Sequence, residues 1–206
     1  MPVVTGVLER RSKAKVFVDG EFLAELDSEV AANRGLFEGA VLSQAKLDEA
    51  RVAGEKPLAM NRALSILSYR ARAKGELRER LTRAGYARET VVVVVARLEE
   101  LGYLDDEEFA RNLVREEARK KYGPRRVLGD LRRAGIDEEV AREVLEEEFM
   151  KRSEYQTALA IVQRRYNRRE RSDAQARRVY GFLMRRGYSA SVCAEIAREY
   201  RQGTDE

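Results

Sequence analysis

Residues 131–136 read LRRAGI. Nearly the same phrase stands at 81–86 as LTRAGY and at 183–188 as LMRRGY. The three glycines, Gly85, Gly135 and Gly187, are spaced by 50 and 52 residues, which points to one structural unit used three times. The match runs past the six letters. Four residues before each glycine stand Leu81, Leu131 and Leu183. Eight before stand Leu77, Val127 and Val179, and one after stand Tyr86, Ile136 and Tyr188. The phrase reads as the end of a helix with its turn. The leucine packs inward, the glycine takes the left-handed conformation that ends a helix, and the next residue drops back onto the core.

The middle unit shows the pattern most clearly. Phe109, Leu113, Val114 and Ala118 share one helical stripe, and Asp105 or Asp106 caps its start. Gly123-Pro124 breaks that helix. A second follows with Val127, Leu128, Leu131 and Ala134 inward. Asp137 opens a third, with Val140, Ala141, Val144, Leu145 and Phe149 inward. The same register predicts helices near 58–73, 76–84 and 88–101 in the first unit, and near 153–168, 172–186 and 189–201 in the third. Val91–Val95, five valines in a row, read alone as a buried strand. Their register with EEVAREVLEEEF argues for a helix and overrides propensity.

The start of the chain differs. KVFV, then Asp19-Gly20, then EFLAEL is a hairpin signal, because a type I′ turn needs positive φ at both central residues. Residues 3–9 supply a candidate third strand. SEVAANRG at 28–35 predicts a short helix ended by Gly35. Ser43 predicts the cap of a helix running to about Gly54, with a boundary at Glu55-Lys56-Pro57. The expected fold is mainly α: three tandem three-helix repeats in an elongated array, with a small N-terminal β-hairpin extension. The expected divisions are 1–55 for the extension, then 56–104, 105–150 and 151–206 for the repeats.

Composition narrows the chemistry. The 206 residues include no histidine and one cysteine, Cys193, so the commonest general base and metal ligand is missing and no internal disulfide can form. Cys193 fits an apolar helix face, as a packed thiol does. No Walker loop, nucleophile elbow or paired-cysteine metal motif is present, and the acidic run LDDEEFA at 104–110 reads as acids on a first helical turn. The expectation is a protein that is not an enzyme, with no cofactor and no metal site. The start MPVVTGVLERR lacks a signal-peptide core and no 18-residue apolar run occurs, so the chain reads as soluble and cytoplasmic, without a membrane partner.

Charge points to a partner. The net charge is +4, yet residues 151–206 carry 13 basic and 7 acidic groups, a net +6. Of the 40 basic residues 32 are arginine, which suits phosphate or carboxylate recognition, although a GC-rich genome gives the same bias. A basic set recurs in each repeat: RARAK at 70–74, KKYGPRR at 120–126 extended by Arg132-Arg133, and QRRYNRRER at 163–171, followed by Arg177, Arg178, Arg185 and Arg186. The candidate contact residues are Arg70, Arg72, Lys74, Lys120, Lys121, Arg125, Arg126, Arg132, Arg133, Arg164, Arg165, Arg168 and Arg169. Helix dipoles and solubility explain many basic helix ends; arginine with interspersed tyrosine also suits phosphate contact with base stacking.

ALSILSYRARAKGELRERLTRAGY, LEELGYLDDEEFARNLV and KYGPRRVLGDLRRAGI closely resemble the RecX regulatory proteins, strongly over 58–150, with the third unit fitting a more divergent last repeat. The resemblance implies tandem three-helix repeats and binding along the groove of a filament of the recombinase RecA on single-stranded DNA. There the chain would inhibit strand exchange, ATP hydrolysis and filament growth, and so modulate recombination, DNA repair and the SOS response. Expected partners are the RecA filament and single- and double-stranded DNA, with the chain itself a monomer. The family usually carries serine where this chain has Ala73, which removes a cap from the helix that follows. Two other readings stay open at this stage: a nucleic-acid-binding helical protein that acts without RecA, and an inert helical scaffold.

Overall fold

The structure, a computed structural model, describes residues 1–149, 153–166 and 172–202. The chain divides into two compact units, Met1–Asp105 and Asp106–Glu206.

The first unit opens with an antiparallel sheet of β1 (Val4–Arg10), β2 (Lys13–Val18) and β3 (Glu21–Asp27) in that order. Asp19 and Gly20 have φ of 49° and 85°, the pair of positive values that a type I′ turn requires. Asp27 caps the short α1 (Ser28–Asn33) through the backbone N–H of Val30 at 3.1 Å. The inner face of the sheet buries Val4, Ala14, Val16, Ala24 and Leu26 with Leu47 and Ala50 of α2 (Gln44–Leu67).

One expectation fails here. No break falls at 55–57: α2 is a single helix, Gln44–Leu67, with Pro57 inside it and Ser43 as its cap. Gly54 looks like a helix end in sequence, but it serves a close approach, since a Cβ there would lie 2.8 Å from Leu26 Cβ. Glu55 looks like linker, yet it is 1% exposed. Its carboxylate accepts from Arg51 Nε at 2.9 Å, from the Ala87 N–H at 2.8 Å and from the Thr90 hydroxyl at 2.6 Å. An interior proline costs a helix about 3 kcal/mol in isolation; burial on both sides of the proline offsets that. The N-terminal sheet and the first three-helix group therefore share one helix.

That group continues with α3 (Lys74–Arg83) and α4 (Arg88–Glu100). The valines are helical: Val91, Val94 and Val95 are buried with Leu98, Leu77 and Leu81, while Val92 and Val93 face water. α2 ends at Leu67, so the RARAK segment at 70–74 does not close a helix as expected. Residues 68–73 form the connection, and Ala73 sits at the start of α3 without a side-chain cap.

The second unit contains α5 (Asp106–Arg119), α6 (Pro124–Ala134), α7 (Glu138–Phe149), α8 (Glu154–Arg165), α9 (Asp173–Arg185) and α10 (Ala190–Gln202). Gly123 caps α6 with Pro124 at its first position. LDDEEFA opens α5, with Asp106, Glu107 and Glu108 in its first turn. All three echoed glycines hold the left-handed conformation, with φ of 92°, 77° and 84°. Cys193 is buried among Val162, Val179, Leu183 and Ile196, and burial pushes its thiol up to about 11. Among the described residues no helix is long and apolar enough to cross a membrane.

Candidate functional site

The echoed turn of the third helical group does more than end a helix. Within the second unit it meets the α5–α6 turn backbone to backbone. The Gly123 N–H donates to the Arg186 carbonyl at 2.8 Å, and the Arg125 N–H donates to the Gly187 carbonyl at 3.0 Å. The Arg186 guanidinium donates to the carbonyls of Lys120 at 3.0 Å and Lys121 at 3.1 Å. The Tyr188 hydroxyl donates to the Lys121 carbonyl at 2.8 Å, and burial pushes its pKa up to about 12, so it stays a donor at neutral pH. Only glycine fits at the crossing. A Cβ on Gly123 would lie 2.4 Å from the Gly187 carbonyl oxygen, and one on Gly187 would lie 2.3 Å from Arg126 Cβ. Lys121 takes φ of 59°, uncommon for a side-chain-bearing residue, and its carbonyl is the one that receives two donors.

Around this joint, cations and rings alternate. The Arg126 guanidinium lies 3.8 Å from the centre of the Tyr122 ring, and Arg186 lies 5.0 Å from that same ring. Arg186 is also 5.4 Å from the Phe182 ring, and Arg165 is 5.0 Å from it. Tyr166 meets Phe182 edge to face at 5.8 Å. The result is a ladder, Arg126–Tyr122–Arg186–Phe182–Arg165, drawn from α6, the α5–α6 turn, the α9 end, α9 and α8. A guanidinium stacked on a ring keeps its in-plane N–H donors free for phosphate or carboxylate oxygens, and the stacking spares rotamer entropy on binding. Arg126 and Arg165 carry the exposed ends. Arg125 and Arg164 are exposed, with no ion-pair partner among the described residues. In the same unit a groove of about 480 Å³ carries Arg177, Tyr180 and Arg198, with Arg201 tied to Asp173 at 2.8 Å.

The remaining candidate cations are mostly engaged within the chain. Glu76 gathers Arg70, bidentate at 2.8 and 3.0 Å, Arg80 at 3.2 Å, and Arg72. Burial raises the Glu76 pKa, and the surrounding guanidinium groups outweigh it, leaving the carboxyl below its ordinary 4.5. Lys74 reaches Glu99 at 2.8 Å. Lys120 sits 2.8 Å from both Glu116 and Glu117, whose hydrogen bonds raise its pKa. Arg132 chelates Glu138 at 2.7 and 2.6 Å, and those bonds hold the Glu138 carboxyl at about 2. Arg133 pairs with Asp130, which also lies 4.0 Å from Arg126. Arg168 and Arg169 lie outside the described residues.

Sequence reasoning passed over Arg186, Tyr122 and Phe182 as site residues. A signal was there: Arg186 occupies the position held by Ala84 and Ala134 in the other two copies of the phrase. The one copy that trades the small residue for arginine is the copy that builds the joint.

Among the described residues nine of the ten helices, α2 to α10, fall into three groups of three, the second and third joined turn to turn, and define a tandem three-helix-domain protein. Three domain descriptions match: the first RecX three-helix domain over residues 59–98, the second over 105–145 and the third over 153–196. A "Regulatory protein RecX" from Mycobacterium sp. is 37% identical over 142 residues, covering 65% of this chain and 76% of the relative. One of the same name from Listeria monocytogenes is 25% identical over 195 residues, covering 93% of this chain and 72% of the relative. A solved structure titled "Crystal structure of regulatory protein RecX" shares the fold, with a TM-score of 0.62 and 22% identity over 97% of this chain and 100% of that one. The chain belongs to the RecX family of regulatory proteins.

Proposed function

We propose that this chain binds the RecA–single-stranded DNA filament within its groove and restrains the recombinase: strand exchange, the coupled ATP hydrolysis and filament growth. The observation that supports this reading is the arginine–aromatic ladder across the second and third helical groups of a RecX family member. A stacked guanidinium offers pre-oriented donors to DNA phosphates or to acidic recombinase side chains. We assign the contact to Arg126, Arg165, Arg125 and Arg164. Lys120, Arg132 and Arg133, and Arg70, Arg72 and Lys74 in the first unit, spend their charge on intramolecular carboxylates. Each would have to give up a partner before meeting another, which leaves them with little net gain at the surface.

In this reading the chain performs no covalent chemistry. It acts by occupying the groove, keeping out a homologous duplex, and so belongs to the regulation of recombination, DNA repair and the SOS response in the cytoplasm. The test is to measure DNA-dependent ATP hydrolysis and strand exchange by purified RecA with and without the chain. A fall in both, dependent on chain concentration, is expected; unchanged rates at saturating chain would overturn the proposal. The second reading, nucleic-acid binding without the recombinase, also draws on the ladder, because arginines beside rings suit phosphates and bases together. It predicts tight binding to bare DNA that falls steeply between two salt concentrations.

A further inference from the structure

The sheet at the start of the chain lies outside all three matched domains, and its inner face is covered by α2 together with Ala31 of α1, Leu36 and Ala40. Its outer face is not. Three cross-strand rows lie there: Gly6–Phe17–Phe22, Leu8–Lys15–Glu25 and Arg10–Lys13–Asp27. Leu8 is 63% and Phe22 56% exposed, and the Phe17 and Phe22 rings meet edge to face at 5.7 Å. Both acids of the face are already engaged. Glu25 holds Lys13 at 2.8 Å, and Asp27 caps the Val30 N–H. Arg10, Arg11 and Lys15 are exposed and have no ion-pair partner among the described residues. Together with Leu8 they line an open hollow of about 720 Å³ that Glu9 and the Lys13–Glu25 pair also border, which leaves the hollow with more positive than negative groups.

Unspent positive charge next to exposed rings restricts the occupant. An apolar peptide would leave that positive excess without a counter-charge. A DNA duplex would offer phosphates but keep its bases stacked inside, with nothing for Phe22. A single strand uses both features, since its bases are free to stack and its phosphates alternate with them. Side chains of one strand on one face recur about every 7 Å, so Lys15 and Phe17 on β2 stand within one nucleotide's reach of each other.

We infer that the outer face of the N-terminal sheet is a binding platform for single-stranded nucleic acid, in which a base stacks on Phe22 against Phe17 and phosphates lie over Lys15, Arg10 and Arg11. The inference does not depend on the recombinase reading, and its test uses no recombinase. The full chain is photocrosslinked to an oligothymidylate carrying 5-iodouracil, and the crosslinked peptides are identified by mass spectrometry. Crosslinks within residues 13–27 are expected. Phe22→Ala is expected to weaken oligonucleotide binding by about fivefold or more, and Lys15→Glu to flatten its salt dependence. Both positions are exposed, and unchanged thermal melting of each variant shows that the fold is kept. Crosslinks confined to the helical groups would overturn the inference. So would Phe22→Ala binding as tightly as the parent, or displacement by poly-glutamate as effective as by unlabelled oligonucleotide, which would make the surface an acidic-peptide site.

Discussion

Substituting Gly123 with alanine isolates the turn-to-turn joint. Gly123 has φ of −79°, so alanine meets no backbone penalty there. The added methyl would instead lie 2.4 Å from the Gly187 carbonyl oxygen and 2.5 Å from the Tyr188 nitrogen, both backbone atoms that a rotamer change cannot clear. The turns must separate. Separation breaks the bonds Gly123 N–Arg186 O and Arg125 N–Gly187 O, and draws Arg186 and Tyr188 off the Lys120 and Lys121 carbonyls. With each neutral bond contributing about 1 kcal/mol and the charged one somewhat more, the loss is about 2–5 kcal/mol. For a unit of this size that lowers its Tm by on the order of 10 °C or more. The assay is thermal melting by circular dichroism, with amide hydrogen exchange at Gly123 and Arg125 as the local readout. Gly85→Ala is the comparison: Gly85 has φ of 92° and open space where a Cβ would go, so it reports the left-handed cost alone, about 1–2 kcal/mol. A Gly123→Ala chain that melts with the parent and keeps those amides protected would refute the reasoning.

Other outcomes follow from single side chains. Glu55→Ala leaves the Ala87 N–H and the Thr90 hydroxyl without their acceptor inside the protein and is expected to cost about 3–5 kcal/mol in denaturant titration of the full chain; a loss under 1 kcal/mol would show that the start of α4 needs no cap from α2. Cys193, buried with its thiol near 11, should resist a thiol-specific reagent at pH 8 until the chain is unfolded, and rapid labelling of the native chain would contradict its packing. Glu138 has a depressed carboxyl in the folded chain, so its contribution is fully present above the ordinary 4.5 and is lost as pH falls toward about 2. NMR titration should place its midpoint near that lower value and Arg132→Ala should return it toward 4.5; an unmoved midpoint would show that Arg132 is not the cause.

Much of the fold was legible because its signals are local. Asp19-Gly20 specifies a turn through backbone sterics, and the echoed glycines specify helix ends in the same way. The valine run was settled by register, because Val91, Val94 and Val95 fall on the buried stripe of α4 however well valine suits a strand. Gly54 and Pro57 were misread because their local meaning is a helix end. What overrides it is Leu26, some thirty residues away, and the buried carboxylate of Glu55. The candidate cations were visible as residue types but not as free or spent charge. Arg132 looks as available in sequence as Arg125, and only the turn from α6 to α7 brings Glu138 onto it. The ladder was hidden for the same reason: Tyr122 and Phe182 are sixty residues apart and share a neighbour only through the joint.

Direct binding of this chain to a preassembled RecA–single-stranded DNA filament tests the central claim, with the parent chain compared against an Arg126→Glu/Arg165→Glu variant in a co-sedimentation titration. Charge reversal at the two open ends of the ladder should weaken binding by at least about tenfold while the chain stays folded, its Tm lowered by about 10 °C at most for the two lost ring contacts, and an Arg70→Glu control in the first unit should bind like the parent. Equal binding by the parent and the double variant would contradict the account.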